Sequence, residues 1–313
     1  MDEQIIETLS YFDIFDYPVT LSELKRYLGC EITVSDDEIK EIIEEIPIIQ
    51  ESNGYYYFLG RQGIVEKRVE RNTISIAKFV KAKVIAKILS YIPTIEYIGI
   101  SGSLSMMNAI DGDDIDLFFI TRKNTLWITR FAVNVILILM KQKRDRDQKK
   151  VKDKICPNMF MQNGKLAFTD KRKTLYIAHE ILQLKTLYDK SDSFYRLLSH
   201  NRWVSNFFPN FTIPLKASTK IKANKRAKVQ VKFIIMLEKI FFNLQSVYMK
   251  NYKTKEIISR GQAFFHPVDK QGMILSMHKL KYKRYKRLFV DNIWIDRDEA
   301  RFYMGEKKIR TLN

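Results

Sequence analysis

The chain has 313 residues, 46% of them hydrophobic and 29% charged, a balance that excludes intrinsic disorder and leaves room for more than one folded unit. Its two cysteines exclude a disulfide framework and a paired-cysteine zinc site, and they suit a reducing cytoplasm. The formal charge of +18 is unevenly spread: residues 1–60 carry 14 acidic and 3 basic side chains, the remainder 22 and 51, so a polyanionic partner would meet the downstream part.

Met1-Asp2-Glu3 is acidic where an export signal would be basic and apolar, so no such signal is expected. The longest apolar run, Phe131 to Met140, falls well short of a bilayer span, and the stretch from Phe233 to Met249 is broken by Glu238 and Lys239. No membrane partner is expected.

In chain order, the first segment reads as three helices, Gln4–Phe15, Leu21–Leu28 and Asp36–Ile46, followed by a hairpin of Ile48–Gln50 and Tyr55–Leu59. Thr20 and Ser35 suit helix N-caps, and Asn53-Gly54 suits the positive φ angles of a tight hairpin. This order resembles a winged helix over residues 1–61. Its third helix, however, reads Asp36-Asp37-Glu38-Ile39-Lys40-Glu41, and phosphates repel such a surface, which argues against DNA binding and for a structural or docking role.

A connector over residues 62–93 follows. Apolar residues recur at Ile76, Phe79, Val80, Val84, Ile88 and Leu89, predicting a helix over Ile64–Leu89 with Lys78, Lys81, Lys83 and Lys87 on its other positions. Residues 94–190 then alternate strands and helices: strands at Ile95–Ile100, Ile115–Thr121 and Ile155–Met161, helices at Leu126–Met140 and Thr174–Leu184, and a short strand at Leu184–Tyr188. Residues 191–313 read as mainly helical, with a linker from Asn210 to Ala227 and a long amphipathic helix from Val229 to Tyr252. The whole is expected to be α+β.

The segment from Gly99 to Thr121 carries the chemistry. After the first of those strands, Ser101-Gly102-Ser103 makes a turn whose backbone N–H groups converge on one spot suited to a triphosphate. Gly102 admits close approach of phosphate oxygens, and the Ser103 hydroxyl adds a donor. On the next strand Asp114 and Asp116, two residues apart, project from one face. Carboxylates so paired repel unless a cation lies between them, and hard oxygen ligands beside phosphates select magnesium, or manganese. As an ordinary acidic turn, Asp111-Gly112-Asp113 would need no ligand, and the glutamate that closes a calcium-binding EF-hand loop is missing.

A strand, Gly-Ser, about ten residues and then Asp-x-Asp on the next strand resembles the signature of the DNA polymerase beta superfamily of nucleotidyltransferases, closest in element order to its minimal and antibiotic-modifying members. The resemblance is tight over residues 95–121 and looser over 95–190. It implies a mixed sheet with helices, transfer of a nucleoside monophosphate from an NTP, ATP by expectation, and Asp114 and Asp116 as metal ligands. It also implies a third carboxylate on a later strand, where this chain reads Ile155-Cys156-Pro157-Asn158, an amide that takes up no proton at neutral pH. Asp153 and Glu180 are the candidates to replace it. The alternative is an inactive, antitoxin-like nucleotide-binding regulator. The basic run Lys141–Lys150 and the basic, aromatic stretch Lys279–Arg287 point to RNA or an acidic protein as partner. His179-Glu180 opens no zinc motif, because position 183 is Gln.

Overall fold

The structure is a computed structural model that describes residues 1–145, 151–211, 228–250, 257–265 and 270–291. It is α+β, with nine α-helices among the described residues and two sheets, one antiparallel and one mixed. None of the described helices is long and apolar enough to cross a membrane. The chain divides into two compact units: residues 1–70, 205–211 and 273–313 in one, and 71–204 and 212–272 in the other.

The first unit opens with α1 (Asp2–Phe12), a short strand β1 (Val19–Thr20), α2 (Leu21–Tyr27) and α3 (Asp36–Glu44). Thr20 and Ser35 each accept a hydrogen bond from a backbone N–H three residues on, and Glu23 and Glu38 reach back to complete capping boxes. Strands β2 (Ile49–Ser52) and β3 (Tyr55–Phe58) are joined by Asn53-Gly54, whose φ angles of 54° and 79° fit a tight hairpin, and β1 completes an antiparallel sheet in the order β1-β3-β2. Ile5, Leu9, Phe12, Leu24, Ile39 and Phe58 fill its interior.

An acidic–basic match lies within this unit. The late basic helix α9 (Lys270–Val290) stacks Tyr285 on Phe58 at 3.5 Å between ring centroids, and the Tyr285 hydroxyl donates to buried Asp13 at 2.9 Å. Lys281 also pairs with Asp13, Arg61 binds it at 2.8 Å, and Lys286 binds Glu3 at 2.7 Å. Two of the six cations in the basic stretch Lys279–Arg287, Lys281 and Lys286, thus pair with acidic residues near the N-terminus.

Helix α4 (Gly63–Leu89) runs from the first unit into the second. The second unit continues with β4 (Ile95–Ile100), β5 (Ile115–Thr121), α5 (Leu126–Leu139), β6 (Ile155–Gln162), α6 (Leu175–Leu182), β7 (Lys185–Asp189), α7 (Ser193–His200), α8 (Lys228–Lys250), β8 (Ile257–Ile258) and β9 (Gln262–Phe264). The strands form one sheet in the order β7-β4-β5-β6-β9-β8, in which only β5 and β6 run parallel. Its core gathers Leu117 and Phe119 of β5, Phe160 of β6, Trp127 of α5 and the small residues Ala82 and Ala86 of α4.

Helix α4 buries Leu89 and packs Phe79 on the core as its apolar spacing predicts, and corrects the rest of that face. Ile76, Val80, Val84 and Ile88 are exposed, whereas Ser75, Lys78, Ala82, Ile85 and Leu89 are buried. The small side chains bring the helix close to the sheet, and the Lys78 ammonium finds three oxygen acceptors inside: Asp111 O at 3.0 Å, Asp113 O at 2.7 Å and Asp153 Oδ1 at 2.7 Å. Glu238 of α8, read as an interruption of an apolar run, is buried and accepts the Trp127 and Ile128 N–H groups at 2.8 and 3.0 Å, capping α5. The proposed linker from residue 210 lies outside the described residues beyond Phe211, as do residues 146–150 of the basic run.

Candidate metal and phosphate site

The site sits at the end of β4 and the start of β5, in the second unit. β4 delivers Ser101, whose N–H donates to Asp116 O at 3.0 Å and so fixes the turn against β5. Gly102 follows at φ 67° and ψ −155°, a conformation that a side chain would strain. A Cβ there would also lie 2.9 Å from Asp116 Oδ2, so the turn and the carboxylate approach each other only because residue 102 is glycine. Ser103–Met106 forms a single 3-10 turn, so the array of N–H groups is small. Ser103 Oγ donates to Asp113 Oδ2 at 2.9 Å, which ties the turn to the acidic loop.

Asp114 and Asp116 do share a face: Ile115 and Leu117 between and after them are fully buried in the core, while both carboxylates are recessed but keep access to solvent. The acidic loop that presents them is held by the three Lys78 contacts and by the Asp153 N–H donating to Asp113 O at 3.0 Å. Asp153 is therefore a strut of this loop, ion-paired to Lys78. Of the two candidates for a third acid, Glu180 is the one that feels Asp116.

Burial pushes the Asp116 carboxyl up to about 6, and the neighbouring Asp114 charge adds to it, against the opposing pull of Lys270, Cys156 and Arg144. Burial likewise raises Glu180 to about 7, with Asp116 adding to the rise and Lys270 and Tyr176 opposing it. Asp114 thus raises the Asp116 carboxyl, and Asp116 in turn raises Glu180, in the absence of a cation. Arg144 supplies part of the missing charge, its Nη1 donating to Asp114 Oδ2 at 2.6 Å.

Neighbouring β6 contributes two further groups. Asn158 Nδ2 donates to Asp116 Oδ1 at 2.8 Å, and Cys156 stands opposite Asp116 in the parallel pairing. The register shifts just beyond, between Leu117 and Phe118, where Pro157 has no N–H to give to a ladder. Cys156, Arg144 and Lys78 had no local signal in the sequence, since each reaches the site through pairing or packing with a distant segment. His179, adjacent to Glu180, is buried and contacts Gln183 at 3.2 Å.

No protein-family model matches the chain, and neither a curated protein nor a solved structure matches it.

Proposed function

We propose that the chain is a metal-dependent nucleotidyltransferase that moves a nucleoside monophosphate from an NTP, ATP by preference, to an acceptor hydroxyl on nucleic acid or protein. The observation that carries this reading is the approach of the Gly102 turn to Asp116, which brings a phosphate-cradling backbone to a pair of repelling carboxylates. Such convergence is the arrangement expected of the polymerase beta superfamily, to which we assign the second unit, and its mixed sheet is consistent with that assignment. The α1–α3 and β1–β3 segment is in turn proposed as a winged-helix-like element that serves docking, because acidic α3 disfavours DNA.

Asp114 and Asp116 provide the hard oxygens that magnesium takes, and the raised Asp116 value is what a recessed carboxylate kept for a cation should have. The ion, when bound, would neutralise phosphate charge and lower the barrier to displacement of pyrophosphate. Gly102 and the Ser103 N–H orient the phosphates, while Ser101 holds the turn on β5. Glu180, held near 7, is poised to take the acceptor's proton in place of the carboxylate that β6 lacks. Arg144, displaced from Asp114, is free to contact phosphate oxygens.

Asn158 favours a second reading, a regulator that binds nucleotide without turnover, since an amide stands on β6 beside Asp116. Incubation with each α-labelled NTP, magnesium or manganese, and cell extract separated into RNA and protein decides between them. Label on either fraction, lost in Asp114→Ala and Asp116→Ala, supports transfer. Magnesium-dependent ATP binding without label supports the regulator, and absence of both rejects the site.

A further inference from the structure

Three side chains of metal-ligating type, and not two, meet at the head of β5. One ligand atom each from Asp114, Asp116 and Cys156 lies within 4.8 Å of the other two. The position of Cys156 is set by the sheet, directly across from Asp116 in the β5–β6 pairing. A second observation marks the same spot. Asn158, two residues further along β6, is 4% exposed; its amide nitrogen binds Asp116, while its Oδ1 has no hydrogen-bond partner. A buried carbonyl oxygen left unpaired on the amide that binds Asp116 calls for a partner, and a cation or a cation-bound water would supply one.

The donor chemistry goes beyond what magnesium requires. Magnesium takes oxygen ligands, whereas a thiolate among carboxylates selects a borderline-soft ion. We infer that Asp114, Asp116 and Cys156 form a site for a thiophilic divalent cation of the zinc class, in competition with magnesium for the same two carboxylates; this rests on the reading of Asp114 and Asp116 as metal ligands. Two oxygens, one sulfur and a water would make up the four ligands that zinc takes, at bonds of about 2.0–2.3 Å. On binding, the Cys156 S–H bond breaks, its proton passes to solvent and the sulfur lone pair bonds the metal; the Arg144 guanidinium leaves Asp114.

The test uses the full-length protein titrated with cadmium, which reports a thiolate ligand through an ultraviolet charge-transfer band, and with zinc against a chromogenic chelator. A saturable band is expected in the wild type and in Cys30→Ser, and not in Cys156→Ser or Cys156→Ala, both checked for folding by circular dichroism. Zinc affinity should fall at least about tenfold in Asp116→Asn, as for loss of a ligand or its support. A band that survives in both folded Cys156 variants, or disappears in Cys30→Ser, overturns the inference. Magnesium-dependent ATP binding, measured alongside, separates the two ideas: binding without the band removes the thiophilic site alone, and the band without ATP binding supports the metal site while removing the nucleotide reading.

Discussion

Replacing Asp116 by Asn is expected to make the metal-free protein more stable while abolishing its metal-dependent chemistry. The carboxyl titrates near 6 in the folded chain against 3.8 for the free group, chiefly through burial and then through Asp114. Holding it ionised above both values costs about 3 kcal/mol, since each tenfold displacement of the proton equilibrium is worth about 1.4 kcal/mol. The sign follows from proton counting. Between those two values the folded state binds more protons than the unfolded one, so stability present below 3.8 is lost as pH rises through about 6. Asparagine keeps the side chain's size and an oxygen to accept from Asn158, but carries no charge. Urea unfolding in chelator should therefore show the variant ahead by up to about 3 kcal/mol at about pH 8, with the gap closing toward about pH 4. Magnesium with ATP should reverse the order by stabilising only the wild type. A variant less stable at the higher pH, or a gap indifferent to pH, would refute the account of Asp116 as a strained, cation-awaiting carboxylate.

Other substitutions probe the remaining parts. Gly102→Ala places a methyl 2.9 Å from Asp116 Oδ2 at a positive φ, and calorimetry should find magnesium-dependent ATP affinity reduced at least about tenfold, the equivalent of roughly 1.4 kcal/mol; unchanged affinity would contradict the close-approach argument. If Glu180 takes the acceptor's proton, the wild-type rate should climb with pH through about 7, and Glu180→Gln should lose that limb and about 10²–10⁴ in rate; a limb that persists assigns the proton elsewhere. Glu238→Ala strips two N–H partners from the start of α5 inside the core, and melting should register a loss of about 2 kcal/mol, whereas an unaltered transition would show that water replaces the cap.

What was legible in the sequence was local. Asp114 and Asp116 share a face by strand alternation alone, and the Ser101-Gly102-Ser103 turn announces itself because its middle residue adopts a backbone conformation other residues avoid. The capping boxes at Thr20 and Ser35 and the Asn53-Gly54 hairpin are local in the same sense. Cys156 depends instead on a strand register set across 40 residues of chain, which no spacing rule contains. Lys78 and Glu238 show the opposite failure: their charges argue for solvent, yet each is buried where backbone atoms of another segment satisfy it. On α4 Ile76, Val80, Val84 and Ile88 look outward while Ala82 and Ala86 pack beside Ile85 and Leu89, so position on the helix, and not side-chain size, decided burial. Strands β8 and β9, of two and three residues, are too short to leave a periodic trace.

The first unit is assembled from three separated stretches, and Tyr285 and Lys281 close over Asp13 from more than 260 residues downstream. On a ribosome adding about 5–20 residues per second, Asp13 therefore waits at least roughly ten seconds before those two partners even exist. Until then a buried carboxylate lacks two of its partners and Phe58 lacks the ring that covers it. The second unit, whose last stretch ends at residue 272, has all its residues before α9 is complete. The beginning of the chain is thus completed by its end, after every residue of the middle unit has been made.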